Sequence, residues 1–120
     1  MWLLTVTALV LALLALPVVA GDFEDGRQFA ASRDYTRAVA SFKKAAEQGN
    51  MDAQFNLGVM YARGDGVAKN YLLAYMWFDV AAAQGNDRAR KYRNTCATQL
   101  TLSQIAEAKR MAREWKPNKE

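Results

Sequence analysis

The chain of 120 residues contains no histidine and a single cysteine, Cys96. A Ser-His or Cys-His nucleophile pair is therefore excluded, because the imidazole that would take the proton is missing. Cys96 alone makes no metal site, since zinc draws three or four ligands from sulfur, imidazole and carboxylate. It also has no partner for an internal disulfide. In an oxidising compartment it is either a small buried apolar residue, the simpler reading, or the site of an intermolecular bridge.

What remains is acid–base work by carboxylates, which needs two of them held together in a cleft. The carboxylates here are scattered, and helix caps or wet helix faces account for most of them. Asp79, beside Trp77 and Phe78, is the least ordinary, and a solvated helix face is the expectation for it. The basic group Arg88, Arg90, Lys91 and Arg93 forms no single stripe: Arg88 and Lys91 lie near each other at helical angles, while Arg90 and Arg93 point elsewhere. A solvated face is expected there too. The run Gly64-Asp65-Gly66 follows no strand and matches neither the dinucleotide nor the P-loop glycine pattern, so it is read as a turn. No catalytic, cofactor or metal residue is assigned, and nucleic acid is not expected as a partner, because the net charge of +4 is dispersed without interleaved exposed aromatics.

The elements that would position any site are set by an internal repeat. Tyr35, Ala38, Phe42, Ala45, Ala46, Gln48, Gly49, Asn50 and Ala53 recur 36 residues later as Tyr71, Ala74, Phe78, Ala81, Ala82, Gln84, Gly85, Asn86 and Ala89. The matched residues are small, aromatic or glycine, which suits helices packed closely against neighbours. Gly49 and Gly85 read as helix stops, where a left-handed residue carries no Cβ penalty. Asn50 and Asn86 are placed to cap the following helices, as Asp34 and Asn70 are before Tyr35 and Tyr71. A helix from Asp52 to Arg63 lies between the copies, with Ala53, Leu57 and Tyr61 on one face. Gly58 inside it costs roughly 1 kcal/mol against alanine, so a close helix partner is expected there. Thr101 and Gln104 make a capping-box pattern, and Ile105, Ala108, Met111, Ala112 and Trp115 form an apolar stripe behind it. With both signs of charge on its other face, that helix suits a lid better than a lipid surface.

The line from Ala53 through Leu57-Gly58, Tyr61 and Gly64-Asp65-Gly66-Val67 to Ala74, Trp77, Ala81, Ala82, Gln84 and Gly85 resembles the Sel-one-like repeat (SLR), a relative of the tetratricopeptide repeat. The resemblance covers one full unit, 53–87. A partial unit, 23–50, precedes it, with the second-helix signature kept and the Leu-Gly pair and long glycine loop lost. A half unit, 88–98, follows, then a capping helix, 101–115, and a tail, 117–120, expected to fray. The resemblance implies an all-α fold, a short α-α solenoid of antiparallel helix pairs, and a non-catalytic role in protein–protein interaction. Some SLR proteins are described as β-lactamase-like, but those resemble a cysteine-rich branch with paired half-cystines, and one cysteine does not carry that activity over.

Residues 1–20 are uncharged and form a nearly uninterrupted apolar stretch, broken at Pro17 and ending Val18-Val19-Ala20, the layout of a secretory signal peptide cleaved before Gly21. An uncleaved anchor is the alternative, since a bilayer needs roughly 20 apolar residues. The expectation is an exported adaptor or scaffold of the bacterial envelope, periplasmic or secreted, that takes a protein or peptide partner. Its contact residues are placed on the first helix of the full unit, away from the Ala53-Leu57-Tyr61 stripe: Asn56 and Arg63, with Gln54 and Met60 as neighbours. The alternatives are a small envelope hydrolase or enzyme subunit using carboxylates, and a membrane-anchored assembly factor.

Overall fold

The computed structural model describes residues 21–118. The signal-peptide expectation for residues 1–20 lies outside them. Six helices run in order: α1 (Asp22–Ala31), α2 (Tyr35–Glu47), α3 (Met51–Arg63), α4 (Tyr71–Ala83), α5 (Asp87–Ala97) and α6 (Leu102–Glu114), with no strand among the described residues. The fold is an all-α helical repeat solenoid in which α1 packs on α2, α2 on α3, α3 on α4 and α4 on α5.

The repeat in sequence is a repeat in local structure. Asp34, Asn50, Asn70 and Asn86 each cap a helix by accepting from the backbone N–H three residues on, contributing about 1 kcal/mol apiece. After α2, Gly49 (φ 99°) donates to Ala46 O and Asn50 donates to Ala45 O. After α4, Gly85 (φ 106°) and Asn86 donate to Ala82 O and Ala81 O in the same way. These paired bonds satisfy carbonyls that a helix end would otherwise leave open, and the glycine supplies the left-handed turn.

Each pair is held by an aromatic ring pressed on a glycine. A Cβ on Gly58 would stand 2.6 Å from Phe78 Cε1, and Phe78 is fully buried. A Cβ on Gly26 would stand 2.6 Å from Phe42 Cδ1. Phe23 meets Phe42 at 6.0 Å and 48°, and Phe55 meets Phe78 at 5.7 Å and 47°. The first pair has lost the leucine of the Leu-Gly pair, with Asp25 in its place, and the long glycine loop, as expected, but Gly26 keeps the glycine contact. The connection Ser32–Asp34 is four residues shorter than Gly64–Asn70, so first-helix positions recur after 32 residues while second-helix positions recur after 36.

At the far end α6 packs mainly on α4 rather than pairing with α5. Its capping box is formed, Ala108 is fully buried, and Trp115 meets Trp77 edge-on at 5.9 Å. The expected fraying of the tail is corrected for its described part: Asn118 N–H donates to Glu47 O at 2.7 Å, closing the end of α2.

Candidate functional site

A cleft of about 260 Å³ opens where α1, α2 and α3 meet. Arg27 and Ala30 come from α1, Tyr35 and Phe42 from α2, Asn56, Val59, Met60 and Arg63 from α3, and Asp65 from the following loop. The residues chosen from sequence divide here. Asn56 and Arg63 share this cleft, half-buried and exposed respectively, and Met60, only 6% exposed, forms part of its apolar floor.

Gln54 does not belong to any contact surface, and its assignment is corrected. It is fully buried; its Nε2 donates to Ala46 O at 3.2 Å and its Oε1 accepts from Gln84 Nε2 at 2.6 Å. Gln84 Nε2 also donates to Gly49 O at 3.3 Å. The pair of amides thus staples the ends of α2 and α4 through α3. A helix packed on one side only would leave Gln54 wet, whereas α3 is packed by both α2 and α4.

Arg27, Tyr35, Val59 and Asp65 were missed as cleft residues because they come from other elements or from a neighbouring face of α3. The turn reading of the glycine run holds. Gly64 (φ 73°) ends α3, and at Gly66 (φ 70°) a Cβ would run into the backbone of Tyr35. That contact brings Asp65 to the cleft rim.

A second cleft, about 270 Å³, lies between α3, α4 and α5, lined by Ala62, Tyr71, Phe78, Tyr92, Thr95, Cys96 and Gln99. None of these is charged. Tyr92 is 41% exposed and stacks edge-on against Phe55 and Phe78 at 5.1 and 5.7 Å. Cys96 is buried at the floor, and burial raises the pKa of its thiol. Its packing is that of a small apolar residue.

The third cleft, about 290 Å³, joins α4, α5 and α6 around Asp79, Arg90, Arg93 and Arg113. Asp79 is not on a solvated face, which corrects that expectation: Arg93 Nη1 donates to its carboxylate at 2.7 Å, with both side chains 23% exposed. The pair ties α4 to α5. The basic group is likewise partly engaged: Arg90 pairs with Asp87 at 3.3 Å, and Arg88 lies 4.6 Å from the centre of the Phe55 ring. Each cleft holds at most one carboxylate, so none presents the paired acids that acid–base hydrolysis requires. Among the described residues no group of three metal-binding side chains occurs, and no helix is long and apolar enough to cross a membrane.

Comparison with known proteins agrees with this geometry. The crystal structure of a protective antigen present in uropathogenic Escherichia coli strains, displaying an SLR fold, superposes with a TM-score of 0.75 at 30% identity, over 78% of this chain and 21% of that one. An exopolysaccharide production negative regulator of Rhizobium meliloti (strain 1021) is 44% identical over 48 residues, 40% of this chain and 18% of the relative. The chain thus spans about a fifth of the length of each of these proteins. Repeats of this kind are protein-interaction modules and generally non-catalytic scaffolds. The family model of the Sel1 repeat matches residues 21–50 and 52–86, more than half of the sequence, and the chain belongs to the Sel1 repeat family.

Proposed function

We propose that this protein is an exported adaptor of the bacterial envelope that holds a segment of a partner protein in the cleft between α1, α2 and α3. The observation that carries the reading is the composition of that cleft. Aromatic and aliphatic walls, Tyr35, Phe42 and Met60, stand beside side chains able to fix orientation, Asn56 and Arg63. Binding sites for peptides combine these two features, apolar area for affinity and a few polar groups for register. The apolar leader 1–20 supports export, and the bacterial relatives, one a regulator of exopolysaccharide production, support a regulatory adaptor role.

A photoreactive residue replacing Asn56 in the intact cell should yield a crosslinked partner. The same group replacing Ser103, on the exposed start of α6, should not. Arg63→Ala should reduce capture about tenfold, the effect of removing one central polar contact of about 1.4 kcal/mol, with the melting temperature unchanged because Arg63 is exposed. Capture unaffected by Arg63→Ala would remove the cleft assignment. Mass spectrometry of the mature chain tests export: a first residue at Gly21 is expected, and an intact Met1 would replace release by tethering.

A further inference from the structure

The first and second clefts are one site built twice. Tyr35 and Phe42 of the first are Tyr71 and Phe78 of the second, 36 residues on, and the positions of Val59, Met60 and Arg63 are taken by Thr95, Cys96 and Gln99 at the same offset. The aromatic walls are preserved while the rim diverges. At the first cleft Arg27 is paired with Glu24 at 3.2 Å, while Arg63 makes no ion pair among the described residues. In the second, Asn56 is replaced by Tyr92, Arg63 by Gln99, and no charge is present.

We infer that the two clefts read a single extended peptide in tandem, an acidic side chain seated at Arg63 in the first and a large apolar side chain seated beside Tyr92 in the second. This rests on the proposed peptide-binding function and adds the chemistry and spacing of the ligand. Charge complementarity selects the acid: Arg63 is exposed and its guanidinium is unpaired among the described residues, and the fork geometry of that group matches a carboxylate. The uncharged second cleft, with an exposed tyrosine ring above buried Phe78, gains most from covering by apolar surface. Spacing follows from the fold. Both clefts border α3, through Met60 and Arg63 on one flank and Ala62 on the other, so their centres lie about one helix diameter apart, roughly 10 Å. An extended chain covers that distance in about three residues.

The test uses the purified full-length chain and fluorescein-labelled ten-residue peptides of serine and glycine. Each carries one glutamate and one phenylalanine, in either order, separated by one to six positions. Fluorescence anisotropy should show tightest binding at separations of two to four, about tenfold weaker at one or six. Replacing the peptide's glutamate by glutamine should weaken binding to the native chain but not to Arg63→Ala. Gln99→Glu, at an exposed position, should abolish the contribution of the peptide's phenylalanine. Saturable binding that ignores separation overturns the tandem reading and leaves the single cleft standing. No saturable binding by any peptide overturns both, as does a dimer of the chain that excludes the peptides.

Discussion

Gly58 and Gly26 show how a residue that weakens a helix in isolation can hold a solenoid together. Glycine costs roughly 1 kcal/mol in a helix interior, yet the missing Cβ lets the rings of Phe78 and Phe42 lie on the helix backbone. Phe78, fully buried, contributes about 3 kcal/mol by leaving water. Gly58→Ala should therefore destabilise the protein by about 1–2 kcal/mol despite the better helix propensity, because a Cβ only 2.6 Å from the Phe78 ring forces the ring out of its packed position. Thermal unfolding should show a fall of several degrees. An unchanged or raised midpoint would mean that the ring contact is not a structural seam. The packing purpose of Gly58 was legible in sequence, since an interior glycine needs a reason. That Gly26 does the same was not, because a shorter connection moved it out of the 36-residue register that reveals the other matches. Gln54 was misread for a related reason: its polarity suggested exposure, and its satisfaction depends on Gln84, thirty residues away, which no local pattern shows.

At the scale of elements, α6 is the piece whose place in the fold sequence left open. Its capping box and apolar stripe were readable, but its neighbour was not, because an amphipathic helix does not state which groove it covers. In the structure it lies on α4, with Trp115 against Trp77 and the tail tied to α2 through Asn118 and Glu47. It thus covers apolar surface that a further repeat would otherwise bury. Trp115→Ala should cost about 2 kcal/mol by removing a half-buried ring and its edge-on partner contact. Denaturant titration should register that loss while far-ultraviolet circular dichroism shows the helix content of α1–α5 retained. A variant as stable as the parent would assign α6 no closing role. The ion pairs on its outer face, Arg110 with Glu107 and Glu114, are exposed and serve solubility more than stability.

For the whole molecule, the consequence of repetition is a row of equivalent hollows whose walls are fixed by the fold and whose rims are free to vary. Tyr35 and Tyr71 recur because each starts a second helix at the same capped position; Arg63 and Gln99 differ because rim residues carry no structural duty. Sequence showed the walls, through the 36-residue matches, and could not show the hollows, which need three helices each to define them. The most direct measurement is backbone amide NMR of the chain titrated with the tightest peptide of the glutamate and phenylalanine series. The account predicts shifts concentrated at Arg27, Asn56 and Arg63 around one cleft and at Tyr92, Thr95 and Gln99 around the other, moving with a single affinity. Shifts centred instead on α6 or on the Asp79–Arg93 cleft would contradict it.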